Sequence, residues 1–199
     1  MAYAGQTIHN PITGEHITFI KTMADTNGAL LVFECRAEPG KAALPPHVHS
    51  TQSEHFTVIS GILGVMVGGK KYELYAGDEV LLPARVKHQW WNAGTGDVRF
   101  RVEAMPPRNL EATLEAVCGM AQGNRLNKKA MPKNPFVLAQ LGRFSETYLP
   151  GIPTGLQHIM LTIGSSIGRL LGFDPTLAQY RPAVSAVPST AAFPETEAA

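Results

Sequence analysis

Between residues 16 and 105 apolar and polar side chains alternate with a period of two, in short runs rich in Val, Ile, Phe and Tyr that Gly or Pro interrupts. Such a pattern buries one face of each of several short strands and gives no continuous helical stripe, so it points to an antiparallel sandwich or barrel. Residues 30–38 set Leu31, Phe33, Cys35 and Ala37 on one face against Glu34, Arg36 and Glu38 on the other. Further strands are expected over 54–60, 63–67, 70–75, 79–82, 87–92 and 97–104, with Gly68-Gly69 as a two-residue hairpin between the second and third of these. No internal repeat of fixed period is present.

At Pro106-Pro107 the period changes to that of helices. Leu110, Leu114, Val117 and Ala121 share one face of a first helix, which Asn109 is placed to cap. A second helix is expected from Asn134-Pro135, presenting Phe136 or Val137, Leu141, Phe144 and Tyr148. A third carries a stripe of Leu156, Met160, Ile163, Ile167 and Leu170, and between residues 149 and 173 Arg169 is the one formally charged side chain. Gln157, His158, two serines and Arg169 argue against a transmembrane segment there. Gly164, Gly168 and Gly172 recur four apart, leaving a helix face that another backbone can approach closely. The expected division is a β-barrel over 1–107, a helical extension over 108–175 and an Ala/Pro-rich tail over 176–199. The third helix is expected to dock on the barrel or on a second subunit, with membrane-surface contact through 156–173 as the alternative.

Composition narrows the partners. With 17 Lys and Arg against 16 Asp and Glu the formal charge is +1, which gives no basic field for nucleic acid. Charged residues make up 17% of the chain, below the roughly 25% usual for soluble domains, so a partner subunit is expected to cover part of the surface. Two cysteines, Cys35 and Cys118, make no disulfide framework, and the opening residues have neither a basic nor an apolar leader pattern. These features lead to the expectation of a reduced, cytoplasmic protein with inert, buried thiols.

The chemistry is concentrated in His47, His49, Glu54 and His88. Residues two apart on a strand share a face, so His47 and His49 enter the barrel side by side. Glu54 is in phase with the apolar Phe56 and Val58, and His88 is in phase with Trp90 and Asn92. Three imidazoles and a carboxylate converging in a barrel suit one divalent transition metal ion, Fe, Mn, Ni, Cu or Zn. His55 points the opposite way to Glu54 and is read as a surface residue; His9, His16 and His158 lie outside the cluster and are not read as ligands.

The spacing of these residues resembles the two motifs of the cupin superfamily. The first runs Gly40, six residues, His47, one, His49, four, Glu54, six, Gly61. The second runs Gly77, five residues, Pro83, one, Arg85, two, His88, three, Asn92. Two positions depart from the pattern: six residues separate Gly40 from His47 where five are commonest, and Arg85 stands where the family has Gly. The resemblance implies a mainly β fold, the cupin double-stranded β-helix or jelly-roll barrel of RmlC-like proteins, with about three C-terminal α-helices outside it. It also implies a homodimer and a metal bound by His47, His49, Glu54 and His88.

A small-molecule substrate or ligand is expected against a pocket wall of Phe33, Cys35, Phe56, Val58, Trp90 and Asn92. Arg101 joins that group if its face is the inner one, where its guanidinium could hold an anionic substrate bidentately. Trp91 faces the other way and suits a dimer interface. The leading functional expectation is an Fe(II) or Mn(II) dioxygenase acting on a small aromatic or otherwise unsaturated compound. The alternatives are a non-redox isomerase or lyase and a non-catalytic small-molecule-binding protein.

Overall fold

The computed structural model of the chain describes residues 2–173 and 177–182. The period-two region forms β1 (Thr7–Asn10), β2 (Glu15–Lys21), β3 (Leu31–Ala37), β4 (Val48–His49), β5 (Ser53–Ser60), β6 (Leu63–Val67), β7 (Lys70–Leu74), β8 (Glu79–Leu82), β9 (His88–Asn92) and β10 (Val98–Met105). After it come α1 (Leu110–Gln122), α2 (Pro135–Ser145), the short strand β11 (Thr147–Tyr148) and α3 (Thr154–Leu170). The larger sheet has the order β1-β2-β3-β10-β5-β8, a smaller one β7-β6-β9, and β4 pairs with β11. All pairs are antiparallel. This is a jelly roll with three helices beside it, as expected; β1 precedes the region in which the alternation was legible.

Strand β10 shows why the sheets face each other. Val98, Phe100, Val102 and Ala104 are buried while Arg99, Arg101 and Glu103 are exposed, a strict alternation along one strand. Phe100 stands opposite Cys35 on β3 and Val58 on β5, and Val102 opposite Phe33 and Phe56. From the smaller sheet Trp90 meets Phe100 edge-on at 4.9 Å, while Phe56 lies 5.2 Å from the same ring. Phe100 thus ties the two sheets together, and each such side chain contributes on the order of 1.5–3 kcal/mol by leaving water.

The helices form a second core. Ala116, Met120 and Ala121 of α1 pack with Leu126, Val137 of α2, Leu177 and Tyr180. Leu177 and Tyr180, which the sequence assigned to a tail, therefore belong to this core, and Arg181 pairs with Glu115 of α1; residues 176 and 183–199 of that tail lie outside the described residues. Asn134 caps α2 as expected, accepting from the amides of Phe136 and Val137 with Pro135 at the first helical position. Asn109 does not cap α1: its side-chain amide donates instead to the Phe144 carbonyl at 2.8 Å, joining α1 to the end of α2. Tyr148 lies beyond α2, in β11.

The third helix packs on α2 through its small residues. A Cβ added at Gly164 would sit 2.8 Å from that of Ala139, and one at Gly168 would sit 3.2 Å from that of Phe136. Gly172 takes no part, since it follows the helix with φ +87° and open space around it. Of the partners expected for the third helix, the barrel is not the one it meets within the chain, where it docks on α2 and leaves the stripe from Leu156 to Leu170 facing outward. Close backbone approach at the glycines turns the large side chains away, leaving Met160 62% and Leu170 88% exposed. No helix among the described residues is long and apolar enough to cross a membrane.

Candidate metal centre

The site is assembled from three chain segments. His47 and His88 exchange backbone hydrogen bonds, each amide donating to the other's carbonyl at 3.0 Å. That bridge brings their rings to 4.5 Å between centroids, and His49 lies 5.0 Å from His47 and 5.2 Å from His88. A ligating atom from each of the three imidazoles falls within 4.8 Å of the other two. Glu54, at the start of β5, reaches the group through His49, with Oε1 3.5 Å from His49 Nε2.

The outer nitrogens decide which atoms are free. His47 Nδ1 lies 3.0 Å from the Pro45 carbonyl and His88 Nδ1 2.9 Å from the Val86 carbonyl. A carbonyl only accepts, so each Nδ1 carries the proton and each Nε2 presents a bare lone pair. His88 Nε2 is buried and has no hydrogen-bond partner among the described residues. An orphaned lone pair facing two further imidazoles and a carboxylate is costly unless a cation lies between them, and this donor set fits a borderline divalent metal.

Protonation matches. Burial first, then His49 and His88, lowers His47 from 6.5 to about 4, and burial also lowers His88. Burial pushes Glu54 upward, but the His49 contact and the neighbouring imidazoles outweigh it and bring the carboxyl from 4.5 to about 2. At neutral pH the site is thus two neutral imidazoles, His49 and a carboxylate. Gln52, buried beside the site, donates to Glu54 Oε1 at 2.7 Å and holds the carboxylate in place.

The helical extension closes one side. β11 pairs with β4 in the register Thr147 to His49, and the Thr147 hydroxyl lies 3.4 Å from His49 Nδ1. Glu146 accepts from Ser50 at 3.0 Å and from Arg108 at 2.7 Å, over a narrow crevice that His49 and Gln52 also line. Gln52 was within reach of sequence reasoning, because it shares the strand phase of Glu54. Thr147 and Glu146 were not, since they join the site from nearly a hundred residues away.

The pocket residues divide. Phe56 is fully buried and Trp90 half-buried, both in the core beside the site. Phe33, Cys35 and Val58 lie deep in the same core, and burial raises the Cys35 thiol, so it stays protonated and inert. Asn92 is not a pocket residue: its amide donates to the Ala37 and Gly96 carbonyls at 2.9 and 2.8 Å and accepts from Gly94, pinning the loop before β10. Arg101 is likewise corrected, because Phe100 and Val102 take the inner face and leave its guanidinium outside on Glu34 at 3.2 Å. Outside the barrel, His55 faces Glu79, and Trp91 lies across Gly64, where any Cβ would meet the indole at 2.2 Å. Arg85 holds φ +65°, so it keeps the left-handed turn that the motif glycine would make.

The fold is a two-sheet jelly roll of the cupin kind, with three clustered imidazoles beside a carboxylate as a donor set that suits a divalent metal. Residues 33–104 match the family model for the cupin domain, so this segment of the chain is cupin-like. Over 70 residues it is 33% identical to a Hypocrea virens protein named "Probable oxidoreductase virH", a match that covers 34% of this chain and 32% of that protein. The chain thus spans about a third of that relative's length. Among solved structures it is similar to an RmlC-like cupin from Shewanella frigidimarina, with 21% identity, a TM-score of 0.46, and coverage of 56% of this chain and 94% of that one. It is also similar to the polyketide cyclase RemF from Streptomyces resistomycificus, with 18% identity, a TM-score of 0.42, and coverage of 53% and 70%.

Proposed function

We propose that the chain is a metal-dependent oxidoreductase of the dioxygenase type acting on a small aromatic or otherwise unsaturated compound. Its metal would be one divalent transition ion held by His47, His49, His88 and Glu54. The observation that carries this reading is the orphaned Nε2 of buried His88, aimed with its neighbours at one point. A match to a relative named as an oxidoreductase supports the redox class. When bound, the ion supplies redox or Lewis-acid chemistry at positions that four protein ligands leave open.

The chain's own residues do the remaining work. The carbonyls of Pro45 and Val86 fix the tautomers of His47 and His88, so both Nε2 atoms are ready without prior proton loss. Gln52 occupies one carboxylate oxygen of Glu54 and limits its rotation. Phe56 and Trp90 keep one side of the site apolar and poor in water. The low charge fraction and the uncovered stripe of α3 support a homodimer as the working state.

The test is elemental analysis of protein purified without chelator, followed by oxygen uptake of Fe(II)-loaded protein with phenols, diketones and thiols. Stoichiometric metal that His88→Ala abolishes, with oxygen consumed on turnover, is the expected result. No transition metal under any loading condition removes the enzyme reading. Turnover that persists without oxygen replaces the dioxygenase with an isomerase or lyase, and binding without turnover leaves a small-molecule-binding protein.

A further inference from the structure

The outer surface of the larger sheet carries a second cluster of metal-ligating side chains. His9 on β1 stands directly opposite His16 on β2, and the two rings stack with centroids 4.1 Å apart. His16 in turn stands opposite Arg36 on β3, and Glu38 lies two residues further along the same face. His16 Nε2 is 3.7 Å from Glu38 Oε1, and one ligating atom from each of His9, His16 and Glu38 lies within 4.8 Å of the other two. We propose that His9, His16 and Glu38 form a second, surface metal site that takes a borderline divalent cation of the zinc type.

Two imidazoles and a carboxylate are a donor set of the right softness for zinc, with a fourth position left to water. Bonds of about 2.0–2.2 Å bring ligand atoms to within about 3.5 Å of each other, so the cluster must contract by roughly an ångström. Half-buried side chains at a sheet surface achieve that by small χ rotations. The backbone beneath is already fixed: β1 and β2 pair in register across the turn, and Gln122 of α1 donates to the His9 carbonyl at 2.9 Å.

The surroundings direct the carboxylate toward the imidazoles. Lys41 binds Glu38 through Oε2 at 3.2 Å and leaves Oε1 facing His16. Arg36 pairs with Asp97 and makes no ion pair with Glu38 among the described residues, although its charge still acts on His16 and Glu38 and an ion there must outweigh it. The hairpin glycine, Gly14, has φ +67°, and a Cβ there would meet Glu38 Cβ at 2.9 Å and Lys41 Cγ at 2.7 Å. Its missing side chain is what lets Glu38 lie against the hairpin. The neighbouring Ile8 and Ile17 point into the core, so this site and the interior triad sit on opposite faces of the sheet. A bound ion would fasten the β1–β2 hairpin to the end of β3.

The test loads the full chain with Zn(II), removes excess by gel filtration and counts zinc per chain. His9→Ala/His16→Ala should hold one equivalent fewer than the unsubstituted chain, whether or not the interior site is filled. His47→Ala/His49→Ala should retain the outer equivalent, and titration should shift the ring-proton NMR signals of His9 and His16. Glu38→Gln and Gly14→Ala should each weaken the outer site by at least tenfold, the second by displacing Glu38. Equal zinc in the unsubstituted chain and the His9→Ala/His16→Ala variant overturns the proposal. So does a Glu38→Gln variant of unchanged affinity. His9, His16 and Glu38 all reach solvent, and an unchanged circular dichroism spectrum confirms that loss of zinc is not loss of fold.

Discussion

Thr147 places its hydroxyl 3.4 Å from Nδ1 of His49, so the helical extension supports one of the imidazoles proposed to hold the metal. The same hydroxyl lies 3.3 Å from the Ser145 carbonyl. With its proton directed there, its oxygen can accept from His49 Nδ1–H once a bound metal takes Nε2, which in the metal-free chain faces the Glu54 carboxylate at 3.5 Å.

Thr147→Val should therefore weaken metal binding by about 10–100-fold, the range for outer-shell partners, while Thr147→Ser restores it. Competition against a chromophoric chelator measures the affinity. Urea midpoints that stay within about 1 kcal/mol of the parent separate this positioning effect from a loss of fold. Unchanged affinity in Thr147→Val would show that β11 serves packing alone.

Acid should destabilise the metal-free protein in two overlapping windows. His47 titrates at about 4 in the fold against an ordinary 6.5, with burial the main cause, so the unfolded chain takes up the proton first as pH falls. Stability that is full above 6.5 is lost as pH falls through about 4. Glu54, at about 2 against 4.5, has the same sign and adds a loss that begins near 4.5 and continues toward 2. Urea midpoints of chelator-treated protein should fall across both windows, and His47→Gln should flatten the upper one. A parent curve that is already flat between pH values of about 7 and 4 would contradict the burial of these groups.

Adjacent residues of β10 should respond oppositely to truncation. Phe100 is fully buried between Phe56 and Trp90, so Phe100→Ala should cost about 3–5 kcal/mol. Arg101 is exposed and paired only with Glu34 among the described residues, so Arg101→Ala should cost less than about 1 kcal/mol and leave activity intact. Loss of activity without loss of stability in Arg101→Ala would return that side chain to the site.

The uncovered stripe of α3 makes a matching prediction for assembly. Met160, Ile163 and Leu170 are all exposed, so an Ile163→Glu substitution costs the isolated chain little. Sedimentation should show a dimer for the parent and a monomer for Met160→Glu/Ile163→Glu. A monomeric parent at micromolar concentration would remove the homodimer.

What was readable in advance depended on whether a residue's partner was local. Strand alternation and the His47, His49, Glu54 and His88 spacing are local, and strand boundaries fell within a few residues of expectation. Alternation alone does not say which face is inner, so Arg101 stayed ambiguous until Phe100 and Val102 were seen to take the core. A two-residue strand such as β11 has no period, and nothing near Thr147 announces a partner at His49. The third helix offered two apolar faces, one of large residues and one of glycines. The choice between them rests on α2, whose Ala139 and Phe136 fit against Gly164 and Gly168.

Arg85 tests how a motif survives losing its glycine. It keeps φ +65°, a conformation costing a side-chain-bearing residue roughly 1–2 kcal/mol, and it lies three residues before His88. Its amide donates to the His49 carbonyl at 2.8 Å and its Nε to the Ser50 carbonyl at 3.2 Å. The backbone bond joins the segments that carry His49 and His88 and needs only the left-handed turn, whereas the side-chain bond is exposed and worth at most about 1 kcal/mol. Relief of strain should therefore slightly outweigh its loss, so Arg85→Gly should be neutral to about 1 kcal/mol more stable, with unchanged metal affinity. Arg85→Ala keeps the strain and loses the side-chain bond, so it should be less stable than both. A metal affinity that falls in Arg85→Gly would instead give the guanidinium itself a part in holding the loop that carries His49.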